Sequence, residues 1–213
     1  ATVDKDEYAS PDEEKYLDGI EKGNIVHEFC ERYVPGTDIK RLIEKISRSY
    51  GIPYTDELYE EVKVYIDNYI KLYRDDYERV YVERPFYLKI KDYYITGIID
   101  RINIHNGKAE ILDYKTNRID NLGYLIYKYT PQLQLYAYVV KEIMNIEIES
   151  ARIVFLENGE NVSIPIDDKS LVKNLNRLEE FMDFVSNNSS ILNYVKSRNC
   201  SHYCKHKSFC DLE

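Results

Sequence analysis

Residues 97–117 read GIIDRINIHNGKAEILDYKTN, and the fold turns on how this stretch pairs with itself. Asn106-Gly107 is a two-residue hairpin signal, because a type I′ turn needs positive φ at both central positions and these residues accept it. His105 then faces Lys108, and stepping outward sets Asp100 opposite Asp113. Side chains alternate along a strand, so Lys115 shares the face of Asp113. Ile98, Ile102, Ile104, Ala109 and Ile111 are expected on that same face, and Arg101, Asn103, Glu110 and Tyr114 on the other. Two carboxylates and an amine therefore stand on an apolar face. Directly opposed like charges destabilise a strand pair by about 0.2–1 kcal/mol, and burial adds to the penalty. Two compensations are open. A divalent cation between the carboxylates is one, and Mg²⁺ or Mn²⁺ suits oxygen ligands. A salt-bridged cluster neutralised by Lys115 is the other. A slip of one residue would separate the faces.

Outward from the hairpin, the pattern predicts strands over 80–90, 93–104 and 109–115, with a turn at Lys91-Asp92. Upstream, apolar residues at helical spacing predict helices over 11–34, 38–49 and 55–79. Pro35-Gly36 and Gly51-Ile52-Pro53 break them, and Thr55 caps the third. Downstream, a helix is expected over 131–146. A hairpin around Asn158-Gly159 pairs 151–157 with 162–166, and a last helix spans 168–186. This order implies an α/β fold with a mixed central sheet. One domain over 1–213 is expected: a helical N-terminal region (1–79) covering the cleft, a core (80–166), and a C-terminal helix with a cysteine-rich tail (167–213).

The chain of 213 residues carries a net charge of −9. That balance argues against a sequence-independent nucleic-acid coat, which needs a basic surface to displace counterions. It permits an enzyme with clustered carboxylates. No apolar run reaches the ~20 residues needed to span a bilayer. The opening ATVDKDEYASPDEEKY is acidic and polar, unlike a signal peptide, so a cytoplasmic setting without membrane partners is expected.

GIIDRI at 97–102 followed by ILDYKTN at 111–117 resembles the core of the RecB-like PD-(D/E)xK nucleases, with their restriction-endonuclease-like mixed sheet flanked by helices. GNIVHEF at 23–29 resembles that family's Gly-x-x-x-His helix, and PQLQLYAY at 131–138 its Gln-x-x-x-Tyr helix. The likeness covers about residues 17–210. It implies that His27, Asp100 and Asp113, with the Tyr114 carbonyl, hold a divalent cation. It further implies that Lys115 orients or deprotonates the attacking water, and that Gln132 and Tyr136 position Lys115 or the strand. Taken alone, Gln132 reads equally as a polar residue on a helix surface and Tyr136 as core packing. Glu83 is similar to an acidic residue of some members, and reads equally as a solvated edge-strand charge. The implied activity is metal-dependent hydrolysis of DNA, by an exonuclease or a single-strand endonuclease. DNA with single strands or free ends, and other DNA-processing proteins, are the implied partners. A non-catalytic nucleic-acid-binding or assembly module on the same fold, or an RNA-directed nuclease, stays open.

Cysteines stand at 30, 200, 204 and 210. The RecB-like CRISPR-associated nucleases hold an iron–sulfur cluster with one N-terminal and three C-terminal cysteines. The resemblance thus implies a [4Fe-4S] cluster on Cys30, Cys200, Cys204 and Cys210. Two features depart from the family pattern: three residues separate Cys200 from Cys204, and Cys30 follows His27 rather than preceding it. Zinc on the C-terminal cysteines with His202 or His206 is the alternative, and Cys30 also reads as a small core residue.

Overall fold

The computed structural model describes residues 16–190. A five-stranded mixed sheet runs in the order β1 (Arg79–Ile90), β2 (Tyr93–His105), β3 (Lys108–Lys115), β4 (Glu147–Phe155) and β5 (Glu160–Ser163). The first three strands form an antiparallel meander. β4 lies parallel to β3, reached through the crossover helix that a parallel pair requires. β5 returns antiparallel from the turn at Gly159, whose φ is +75°.

The decisive hairpin has the register that its turn dictates. Asn106 and Gly107 both hold positive φ, and the pairs run from His105↔Lys108 to Arg101↔Leu112. The alternation does not continue beyond that point. Ile98 is exposed and Ile99 is buried, the reverse of the expected faces. The break lies at Asp100. In the ladder between β1 and β2, Val82 pairs with Arg101 and Arg84 with Ile99, while the intervening Glu83/Asp100 position makes no pair. Glu83 there adopts φ +44°, a left-handed conformation that disrupts the regular pleat.

Both faces of the sheet are covered. One packs under the helices α1 (Gly19–Arg32), α2 (Ile39–Ser49) and α3 (Asp56–Leu72), through a core of Ile25, Phe29, Ile43, Leu58, Ile66 and Tyr69 against Tyr114, Val154 and Leu156. The N-terminal helices therefore back the sheet, and α1 brings His27 to Asp100 of the hairpin. Asn68 ties α3 to β4 by donating to the carbonyls of Leu156 and Glu157. Above the other face lies α4 (Leu122–Ile143), packed on β3 and β4.

Several boundaries differ from the sequence reading. α1 starts at Gly19 because Asp18 caps it in a reciprocal capping box with Glu21. α3 stops at Leu72, short of the expected Arg79. α4 begins at Leu122, not Pro131, capped by Asn121. Pro131 lies inside it, and the Thr130 hydroxyl donates to the Ile126 carbonyl in the turn that the proline disrupts. β4 begins at Glu147 rather than 151. α5 (Asp168–Asn187) crosses the point at Asn174/Leu175 where the chain divides into two compact units. No described helix is long and apolar enough to cross a membrane.

Candidate metal and catalytic site

The site gathers where β1 and β2 lose their pairing. Freed from the ladder, Glu83 and Asp100 turn toward α1. His27 comes down from that helix, with its Nδ1 3.6 Å from Asp100 Oδ2. One ligand atom each from His27, Glu83 and Asp100 lies within 4.8 Å of the others. Gly23, one turn before His27, faces the residue that follows β3, and a Cβ there would make an ordinary contact with the Thr116 hydroxyl at 3.5 Å. The Tyr69 hydroxyl, donating to the Cys30 carbonyl, fixes the helix from beneath.

Asp100 also replaces the missing ladder contact. Its Oδ2 accepts the Tyr114 N–H at 2.7 Å, and the Tyr114 backbone also faces His27, opposing the fall in its pKa. Asp113 lies apart from the three-residue group. It is 1% exposed, and its polar neighbour is the Lys115 ammonium, 2.7 Å from Oδ2. Neither Asp113 oxygen accepts a well-directed hydrogen bond. Lys115 in turn donates to Gln132 Oε1 at 3.2 Å, and Gln132 Nε2 donates to the Tyr136 hydroxyl at 2.7 Å. The Tyr129 ring lies 4.5 Å from the same ammonium. Gln132 and Tyr136 thus form one hydrogen-bonded chain that ends on Lys115. Tyr136 is itself held edge-on against Phe86.

Electrostatics here are unbalanced. Burial pushes the Asp100 carboxyl up, against the pull of the Tyr114 N–H and Lys115. Burial and then Asp100 push Asp113 up, against Lys115. Glu83 is pushed up to about 7 by burial, Asp100 and Glu31. Burial and Lys115 hold His27 below its ordinary value, which keeps its ring neutral and able to ligate. Three carboxylates whose ionisation is disfavoured, one with a buried oxygen that has no partner, beside a neutral imidazole, form a donor set that a divalent cation fits.

Of the residues named from sequence, His27, Asp100, Asp113, Lys115, Gln132, Tyr136 and the Tyr114 backbone come together. Glu83 joins them, half-buried rather than solvated. The signal for it was weak, because an isolated acidic residue on an edge strand has no periodic or turn context. Cys30 lies 4% exposed in the apolar core, with its thiol pushed well up by burial. Cys200, Cys204, Cys210, His202 and His206 lie outside the described residues.

A family model described as the PD-(D/E)XK nuclease superfamily matches residues 5–211. Two curated relatives are similar, and each is described as one of the subunits of an ATP-dependent helicase/nuclease. That of Streptococcus equi subsp. zooepidemicus is 22% identical over 72% of this chain and 14% of its own length. That of Streptococcus mutans is 24% identical over 67% of this chain and 13% of its own. The chain therefore spans about a seventh of these relatives. A crystal structure of a candidate exonuclease from Eubacterium rectale shares the fold, with a TM-score of 0.56 and 14% identity over 85% of this chain and 76% of that one.

Proposed function

The chain belongs to the PD-(D/E)XK nuclease superfamily, and from that premise we propose that it is a divalent-metal-dependent deoxyribonuclease acting on single strands or free ends. The observation that carries this reading is Asp113. It is buried beside Asp100 with Lys115 on Oδ2 and no partner on Oδ1, so one ammonium faces the charge of Asp113, Asp100 and Glu83, an excess that a divalent cation would offset.

His27, Glu83, Asp100 and Asp113, with the Tyr114 carbonyl, would hold Mg²⁺ or Mn²⁺. Bound there, the ion supplies Lewis acidity toward a phosphodiester and hydroxide near neutral pH. The protein's own part is orientation and proton handling. Lys115 is pinned on one side by Asp113 and on the other by Gln132, so its ammonium is aimed at the attacking water or a phosphate oxygen. Tyr136 holds Gln132 in the rotamer that presents Oε1 to Lys115. α4 above and α1 beside the site exclude bulk water and strengthen each of these contacts. The streptococcal relatives are named as parts of helicase/nucleases, which supports DNA-end processing as the setting, with other DNA-processing proteins as partners. A [4Fe-4S] cluster on Cys30, Cys200, Cys204 and Cys210, or zinc on the three C-terminal cysteines with His202 or His206, is part of the same proposal, and iron, acid-labile sulfide and zinc analysis of the purified protein distinguishes the two.

The test is cleavage of labelled single-stranded DNA, duplex DNA and RNA with Mn²⁺ or Mg²⁺. EDTA is expected to abolish it, and Lys115→Ala to slow it by about 10²–10⁴-fold. Metal-independent cleavage, or an unimpaired Lys115→Ala, overturns the assignment. Binding without cleavage by the metal-loaded wild type points to a non-catalytic module.

A further inference from the structure

Beneath the sheet, on the face away from Asp113 and Lys115, lies a cavity of about 290 Å³ between the end of α3, the segment that follows it, and β2 to β5. That volume is at the lower end of ligand-binding clefts, about 300–1,000 Å³. Its walls carry guanidinium groups in a chain whose net charge is −9. Arg101 is only 5% exposed. Its partners are neutral: Asn103 Oδ1 at 2.8 Å, the Tyr69 hydroxyl at 3.1 Å, the Arg74 carbonyl at 3.5 Å, and the face of Tyr73. Among the described residues no carboxylate pairs with it. The one carboxylate in the wall, Glu110, is already engaged by the Tyr77 hydroxyl, the Asn103 amide and Arg152. Arg152 Nε is buried and has no hydrogen-bond partner.

A buried guanidinium without a counter-ion is costly, and here an open cavity lies beside it. The structure assigns this cavity as a binding site for a phosphate dianion, free or as a phosphomonoester, held by Arg101 and Arg152. The ligand class follows from the donors. Arg101 projects from β2, Arg152 from β4 and Asn161 from β5, so they approach from separate strands. A tetrahedral oxyanion offers acceptors in several directions, and guanidinium forks match phosphate oxygens. The faces of Tyr73 and Tyr77 are already stacked on Arg101 and Arg74, so recognition rests on the phosphoryl group rather than on a base. The assignment does not depend on the nuclease reading.

The experiment is thermal melting of the full chain in EDTA, which keeps phosphate from binding through a metal at the carboxylates. Inorganic phosphate, thymidine monophosphate, thymidine, and chloride at matched ionic strength are the four arms. At about ten times Kd, phosphate or the nucleotide is expected to raise Tm by roughly 3–6 °C, and thymidine and chloride not at all. A larger effect of the nucleotide identifies the monoester as the ligand, and an equal one identifies free phosphate. Arg152→Gln, which leaves Glu110 with two donors, is expected to remove the shift while keeping a cooperative melt. If it melts without cooperativity, Asn161→Ala is expected to reduce the shift instead. No phosphate shift beyond chloride, or a full shift retained in the folded variant, overturns the assignment.

Discussion

The two faces of the sheet around the β2–β3 hairpin carry opposite excesses of charge. On one, Asp100, Asp113 and Glu83 outnumber Lys115, and Asp113 lacks a directed donor. On the other, Arg101 and Arg152 outnumber Glu110, yet Arg101 donates to Asn103, Tyr69 and Arg74. Neighbouring residues, Asp100 and Arg101, begin the two arrangements. The difference lies in what solvates each charge. Neutral acceptors, the Tyr69 hydroxyl on α3, the Arg74 carbonyl after it and Asn103 on β2, take up the hydrogen bonds of the guanidinium and leave its charge without a counter-ion. The carboxylates have fewer donors: Asp100 accepts the Tyr114 N–H and Asp113 lies beside Lys115, while Asp113 Oδ1 has no partner. Each face therefore buries charge that the protein's own groups satisfy only in part.

The largest effect is expected where the comparison is most lopsided. Asp100→Ala or Asp113→Ala should reduce metal-dependent cleavage by more than about 100-fold, since losing even an outer partner of a metal ligand costs 10–100-fold. Rates within tenfold of wild type would break the comparison at its root. Arg101→Met tests the other face. It removes charged hydrogen bonds at a packed position and should lower stability by about 1–3 kcal/mol, read as the midpoint of denaturant unfolding. A neutral or stabilising result would mean that the neutral acceptors do not solvate this charge.

Gly97→Ala probes the regularly paired stretch of β1 and β2 next to the break, where Gly97 stands opposite Phe86. A Cβ there would meet the Phe86 ring at 2.7 Å, and Phe86 braces Tyr136. A loss of about 1–3 kcal/mol is expected, with slower cleavage as Tyr136 shifts. Unchanged stability would show that Phe86 has another place to go.

The smallest effect has the opposite sign. Glu83 is half-buried and pushed up to about 7 by burial, Asp100 and Glu31. Its ionisation therefore opposes folding above that pH, and the penalty fades as pH falls toward the ordinary glutamate range. Glu83→Gln in EDTA should raise Tm by about 1–3 °C at pH 8, a gain limited by solvent screening, and by nothing near pH 4.5. The same variant should weaken the Tm rise that Mn²⁺ gives the wild type. A uniform gain at all pH values would assign the effect to packing instead of charge.

The hairpin was legible in the sequence because its determinants are local. Asn106-Gly107 sets the turn, the turn sets the register, and the register from His105 to Arg101 places Asp113 beside Lys115 on one face. The helix spacing of Gln132 and Tyr136 is local in the same way, and so is the capping by Thr55. What only the tertiary structure decided is the rest of the site. His27, Glu83 and Asp100 come from a helix and two strands far apart in the chain, and no period or turn rule relates them. The pleat breaks at Glu83 and Asp100, where alternation predicts a continuous face with Ile98 inside. Pro131 suggests a helix start, but capping at Asn121 and packing on β3 and β4 carry the helix through it. Local propensity chose the elements and the register. The burial of both sheet faces chose which charges were left without partners, and that depends on surfaces the sequence brings together only by folding.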